Sequence, residues 1–427
     1  MLALPAALLC VGLMTPVAGV AQAPIDGPLR PWLAAARSPL STQPPSLPPA
    51  AQLQQLANGE PHWVARWGAA SPSVSWTEAA LDLVVKYRQN PLRAARVLVY
   101  VNAAMHDALL ECEVKGCAAT AQRVAMHAAG GVVLEHLYPE ETAGRWQAVA
   151  ARATAATVAV TGDSRELARA WRIGLDAAES AIQRALFDGA DDIWNIQNRP
   201  APGPAVWRAS PPLLQHNPVE AAAPGWRTWV LRSGSEIAWP TPPAPGSDAY
   251  RAELEEVLQV HRTLTEEQKR IADEWNLDLG TVTPAGVWNK RAIALTREHK
   301  LPLRETARML VALNVAIFDA FVSCWHAKLR FWTPRPITAI RDSIDPQFTP
   351  HLVTPGFPAF PSGHATISGA ASEVLAAFFP SAATGLRLAA NEAAMSRLYG
   401  GIHARSDNTL GLQVGRLIGA RVAASLR

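Results

Sequence analysis

One stretch occurs twice in this chain, and it limits the fold more than any other feature. Arg96-Val-Leu-Val-Tyr-Val-Asn102-Ala-Ala-Met-His-Asp107-Ala108 is matched by Arg308-Met-Leu-Val-Ala-Leu-Asn314-Val-Ala-Ile-Phe-Asp319-Ala320. Two similar segments more than 200 residues apart predict a duplicated helical bundle. Composition agrees: 49% of the 427 residues are apolar, with Ala dominant, which favours helices over sheets. We therefore expect an all-α fold of two similar helical bundles, and a chain of this length can bury a large core. The repeat also constrains function. Asp107 has no basic cluster after it, so its counterpart Asp319 is expected to be structural. Nine positions on a straight helix also put Asp319 on the face opposite Lys328.

The texture of the chain changes at four places. Residues 1–23 are apolar and uncharged and end in Ala21-Gln22-Ala23, which fits a cleaved secretory signal; an uncleaved anchor is the alternative. Residues 24–70 are rich in Pro, Ala and Ser and predict an extended N-terminal arm. Residues 71–190 form the expected first bundle. Residues 191–248 combine many prolines with Trp207, Trp226, Trp229 and Trp239, which predicts a strap packed over helices. Residues 249–427 form the expected second bundle. Beyond the leader, long apolar runs are interrupted by charges such as Arg96, Asp107 and Glu373, so no integral membrane span is expected. The net charge of +3 gives no bulk basic character for nucleic acid. Cys112 and Cys117 are close enough to bridge in an oxidising compartment, with free buried thiols as the alternative. The leader and these cysteines together suggest an exported protein, periplasmic or secreted.

Three clusters in the second half carry chemistry. The first is Lys328 followed by Arg335-Pro336. The second is Phe357-Pro-Ala-Phe-Pro-Ser362-Gly363-His364. The third is Ser396-Arg397, then His403, then Asp407. Ser362 is a good N-cap for the apolar run Ala365 to Phe379, and Gly363 lets backbone approach a ligand. The N-terminus of a helix presents unpaired N–H groups and a positive dipole end, which suit an oxyanion. Pro334 and Pro336 restrict the backbone around Arg335. Gly400-Gly401 should end a helix and put His403 on a turn, with Ser406-Asp407 capping the next helix.

In this order and spacing the clusters resemble the signature shared by vanadium-dependent haloperoxidases and the type 2 phosphatidic acid phosphatase superfamily. The resemblance implies that Lys328, Arg335 and Arg397 surround one oxyanion, with hydrogen bonds from Ser362 and Gly363. It makes His403 the vanadate ligand of a peroxidase or the phosphoryl-accepting nucleophile of a phosphatase, and His364 the acid–base group. Asp407 would hold the other ring nitrogen of His403. Asp278, in Trp275-Asn276-Leu277-Asp278, is a further candidate for orienting His364. Trp325 and Phe357 match aromatic positions of the chloride-oxidising haloperoxidases and would bound a halide site. Vanadate is the implied cofactor, with phosphate able to occupy the same pocket. The implied reactants are hydrogen peroxide and halide, giving hypohalous acid; a soluble exported acid phosphatase acting on phosphate esters is the alternative. A homodimer is an allowed assembly.

Overall fold

The computed structural model describes residues 30–34, 46–57, 64–157 and 164–426, so the expected leader lies outside the described residues. Among those residues the chain is all-α, with no strands. A short helix, α1 (Ala50–Ala57), and a π-helical turn (Val64–Ala69) fall inside the expected arm, which is therefore not extended throughout. The first bundle comprises α2 (Pro72–Lys86), α3 (Pro91–Val114), α4 (Ala119–Leu137), α5 (Arg145–Thr157) and α6 (Ser164–Leu186). After an irregular segment come α7 (Asp248–Arg262), α8 (Glu266–Glu274), α9 (Thr283–Glu298), α10 (Leu303–Phe331) and α11 (Pro336–Ser343). The last three helices are α12 (Gly363–Phe378), α13 (Ala383–Tyr399) and α14 (Arg405–Ser425).

The repeated stretches lie in α3 and α10, which pack against each other, and one continuous apolar core runs through both bundles. Each repeated Asn ties its helix to the preceding long helix. Asn102 donates to Thr77 Oγ1 at 3.1 Å and to Leu98 O at 3.0 Å. Asn314 exchanges hydrogen bonds with Asn289 at 2.8 and 2.9 Å and donates to Leu310 O at 2.9 Å. A tryptophan precedes each partner: Trp76 Nε1 donates to His127 Nδ1 on α4, and Trp288 Nε1 donates to Ser368 Oγ on α12. Glycines let the last helix of each bundle, α6 and α14, close on α4 and α12. A methyl at Gly174 would collide with the Ala125 backbone, and one at Gly415 would collide with that of Thr366. Helix α14 is thereby drawn onto the first turn of α12.

The repeated aspartates anchor irregular chain. Asp107 accepts from Trp32 N and Leu33 N of the N-terminal arm, at 3.0 and 2.8 Å. Asp319 accepts from Trp229 N, Val230 N and Leu231 N of the strap, at 2.8, 2.8 and 2.9 Å. Burial pushes the Asp319 carboxyl up to about 6, opposed by those three N–H groups. Trp207, Trp226 and Trp239 of the strap are buried as expected, and Trp229 is half-buried against the same core. Trp226 stacks on Phe318 with centroids 6.0 Å apart, and Trp239 Nε1 donates to Ser323 Oγ at 3.0 Å.

Two expectations can be refined. Leu303–Ser343 contains a window long and apolar enough by length and composition to cross a membrane; charge interrupts it, as expected, and the window is wholly buried inside the protein. Cys112 and Cys117 are neighbouring buried thiols and are not bridged.

Candidate active site

Five helix ends converge on one buried point. Lys328 lies in the last turn of α10. Trp332 closes that helix in the left-handed conformation (φ 48°), turning the chain toward Arg335 at the N-cap of α11. Pro334 and Pro336 hold Arg335 extended, at φ −74° and ψ 151°. Ser362 caps α12 by accepting from Ala365 N at 3.3 Å, and its own N–H donates to Asp407 O at 3.0 Å. Arg397 lies in the last turn of α13. Gly401 (φ 70°) then turns the chain so that His403 faces inward before α14 begins. The expected cap at Ser406-Asp407 is replaced by Ala404, which has no side-chain acceptor; the Asp407 carboxylate instead accepts from Ala404 N at 3.2 Å.

The three cations are fully buried but bound differently. Lys328 Nζ donates to Pro358 O, Ala359 O and Pro361 O at 2.8, 2.8 and 2.6 Å, which uses all three ammonium protons. Burial pushes Lys328 down to about 7. Three acceptors around one nitrogen need three protons, so this geometry is that of the charged ammonium. Arg335 donates from Nε to Phe357 O at 2.8 Å and from Nη1 to Ile402 O at 2.9 Å. Arg397 Nη1 donates to Trp275 O at 2.6 Å. Burial lowers both guanidiniums to about 9, leaving them charged at neutral pH. Arg335 Nη2 and Arg397 Nε are buried with no partner. Unpaired N–H groups on buried cations are costly unless an anion completes them.

Both histidines are hydrogen-bonded into the cluster. His403 Nδ1 donates to Asp407 Oδ2 at 2.9 Å, which leaves Nε2 as the acceptor facing Arg335 Nη1 at 2.9 Å. Burial first, then Arg335, Lys328 and Arg397, hold His403 well below its usual value, so it is a neutral ring with a free lone pair at Nε2. Burial also pushes Asp407 up to about 7, against the pull of Lys328 and Arg335. His364 is half-buried, with Nε2 3.4 Å from Arg397 Nη1 and further hydrogen bonds to the backbone of Trp275 and Asn276. Burial and Arg397 keep it neutral, able to accept a proton.

The aromatic pair forms one wall. Trp325 and Phe357 lie 4.9 Å apart between centroids, and Lys328 Nζ sits 5.6 and 4.9 Å from their rings. Trp325 Nε1 donates to Val219 O at 2.9 Å, so the strap fixes this wall. A methyl at Gly363 would meet Trp325 at 3.5 Å, an ordinary contact, so packing alone does not require glycine there. Asp278 is exposed and accepts from Leu279 N at 2.7 Å; its charge reaches the site through Arg397. The ring of His364 is bonded to the backbone of Trp275 and Asn276 instead.

Several contributors are invisible in the sequence motifs. They are the carbonyls of Pro358, Ala359 and Pro361 around Lys328, the Trp275 carbonyl under Arg397, and Ile402 O on Arg335. Among the described residues no group of three or more His, Cys, Asp or Glu could hold a metal cation. The donor set is one of N–H groups with one imidazole lone pair, which suits an oxyanion.

The family model "VCPO second helical-bundle domain" matches residues 308–389. Over 121 residues the chain is 31% identical to the vanadium chloroperoxidase of Curvularia inaequalis, covering 23% of this chain and 20% of that protein. The chain thus spans about a fifth of the length of that curated relative. A bacterial vanadium-dependent iodoperoxidase structure is similar with a TM-score of 0.69 and 24% identity, covering 83% of this chain and 97% of that one. The holo form of a bacterial vanadium-dependent chloroperoxidase is similar with a TM-score of 0.61 and 17% identity, covering 89% and 97%.

Proposed function

We propose that this chain is a vanadate-dependent haloperoxidase of the superfamily shared by vanadium-dependent haloperoxidases and type 2 phosphatidic acid phosphatases, a reading supported by the match over residues 308–389 and by the similarity to a vanadium chloroperoxidase. The site residues fit a tetrahedral oxyanion. Arg335 Nη2 and Arg397 Nε are buried donors without partners, and His403 Nε2 is a lone pair aimed into the same space. Vanadate would be held by His403, with Lys328, Arg335, Arg397, Ser362 and Gly363 around its oxygens. When bound, it supplies a Lewis-acidic centre that activates hydrogen peroxide toward halide without change of oxidation state.

The remaining chemistry belongs to the chain itself. Asp407 holds the His403 proton at Nδ1 and keeps Nε2 basic. Arg335 and Arg397 offer forked donors matched to oxyanion oxygens. Lys328 acts through its charge, because its N–H groups are already donated to the loop carbonyls. Neutral His364 takes a proton from the incoming peroxide at its ring nitrogen. Trp325 and Phe357 exclude water and leave an apolar edge for a polarisable halide.

The observation that carries the peroxidase reading is this aromatic wall, packed directly on Lys328. The phosphatase alternative draws on a different one: His403, oriented by Asp407 and neutral, is also an activated nucleophile, with His364 placed to protonate a leaving alcohol. A parallel assay separates them. Purified protein with vanadate and peroxide should halogenate a generic acceptor, and without vanadate should hydrolyse a generic phosphate ester slowly or not at all. Fast hydrolysis with no halide oxidation would reverse the assignment.

A further inference from the structure

A small cavity of about 20 Å³ adjoins the His403–Asp407 pair, lined by Tyr250, Glu253, Thr333, Ser406 and Asp407 together with prolines, alanines and a leucine. Its polar atoms are left incomplete by the protein. Tyr250 Oη is buried without a partner, on a phenol near enough to Asp407 and Glu253 to feel both charges. Asp407 receives both of its side-chain hydrogen bonds, from His403 and Ala404, at Oδ2, and none is formed at Oδ1. Thr333 Oγ1 accepts from Phe360 N at 2.7 Å, so its own proton is free to donate. Glu253 does not fill the gap. Its two oxygens accept from Ser406 N and Ser406 Oγ at 2.9 and 2.8 Å, pinning the residue next to Asp407.

A polar cavity needs roughly 10–15 Å³ of this kind of volume and two to four partners to hold a water. This one, apolar over most of its wall, has room for a single molecule and offers it Tyr250, Thr333 and Asp407 as polar partners. We propose that the cavity holds one ordered water joining Tyr250 Oη to Asp407 Oδ1, and that Tyr250 and Glu253 are positioning residues for His403, acting through Asp407. The inference rests on the reading above that His403 Nε2 meets the oxyanion. Tyr250 supplies a polar partner for the outer oxygen, which keeps Oδ2 turned to His403. Glu253 fixes the first turn of α14, from which Asp407 projects. Both come from α7, which the three catalytic clusters do not include.

Removing a direct outer partner of a ligating histidine costs about 10–100-fold in affinity. For a residue acting through one water we expect less than that, about three- to tenfold. A high-resolution crystal structure of the full chain should show a water within hydrogen-bonding reach of both Tyr250 Oη and Asp407 Oδ1, and Tyr250→Phe should lose it. In the anion-free protein, Tyr250→Phe should shift the His403 Nδ1–H resonance, assigned by its absence in His403→Gln. Inorganic phosphate, titrated calorimetrically, should bind about three- to tenfold more weakly to Tyr250→Phe. Glu253→Ala should weaken phosphate binding similarly. Glu253→Gln, which can still accept from Ser406 N and donate to Ser406 Oγ, should restore it. A dry cavity, or an unshifted His403 resonance with unchanged phosphate affinity in Tyr250→Phe, overturns the proposal. If wild-type protein binds neither phosphate nor vanadate, the oxyanion reading fails instead; the water and the His403 resonance, read without anion, still decide the positioning role.

Discussion

In the first bundle α3 stops at Val114, and Gly116 (φ 67°) turns the chain away; in the second, α10 runs on to Phe331. Carrying the register of the repeat forward from Asp107 and Asp319, Gly116 stands where α10 has Lys328. The second contrast lies at the start of the next helix. Four residues before Ser368, the partner of Trp288, is His364. Four residues before His127, the partner of Trp76, is Arg123, whose guanidinium is spent on the carbonyls of Gly68 and Ala70. The bundles therefore share a frame of Trp, Asn and Asp contacts, while the candidate site gathers at the end of a longer helix and in the chain that follows it. On the proposed function, duplication supplies the scaffold and extension at one end of it supplies the site.

Four experiments would break or sharpen that contrast. The largest effect should come from the shared frame. Asp319→Ala strands three buried N–H groups of the strap and should destabilise by about 3–5 kcal/mol, at about 1–3 kcal/mol for each lost partner less some rehydration. Asp107→Ala strands two and should cost less; denaturant unfolding of both variants reads the difference. Equal costs would mean the two anchors do not scale with what they hold.

Next in size, Lys328→Ala should cost about 2–4 kcal/mol of transition-state stabilisation in either reaction, by analogy with deletion of an oxyanion-hole donor. Arg123→Ala, at the first-bundle position that matches His364, should leave turnover unchanged in the folded protein. Comparable losses in both would remove the claim that only one bundle is active. Smaller and more selective, Trp325→Ala should impair halide oxidation several-fold more than any phosphate-ester hydrolysis, since its ring's only N–H is given to Val219 O and none is left for the anion. Equal effects on both reactions would make it ordinary packing.

The smallest effect concerns pH. Burial pushes Lys328 down to about 7, and only its charged form attracts an anion. Affinity contributed by Lys328 is thus present below that value and lost as pH rises through it. Sulfate, whose own charge is constant over this range, should bind a few-fold more weakly at pH 8.5 than at pH 6. A flat profile would show that the three carbonyls hold the ammonium charged throughout.

Much of the site was legible because its groups are side chains in short, fixed spacings. Lys328, Arg335, Ser362, His364, Arg397 and His403 all converge on one point in the structure. The all-α fold, the packed strap and a structural rather than catalytic Asp319 were equally readable, from the repeat and from tryptophan-rich chain; that Asp319 anchors the strap was not. What stayed hidden involves backbone or distance. No motif announces that the carbonyls of Pro358, Ala359 and Pro361 cage Lys328, or that Trp275 offers its carbonyl to Arg397. Asp278 looked like a partner for His364, yet Leu277 takes a left-handed conformation (φ 50°) and the Asp278 carboxylate stays exposed on its own loop. Tyr250 and Glu253 reach Asp407 and Ser406 from more than 150 positions away, where no local pattern links them.

The central claim is a single oxyanion site, in the second bundle only, with His403 as the bonding group. Equilibrium dialysis of vanadate against wild type and His403→Ala tests it most directly. The account predicts one vanadate per chain, displaced by phosphate, with binding lost or reduced by orders of magnitude in His403→Ala. Undiminished binding to His403→Ala, or two equivalents per wild-type chain, would contradict it.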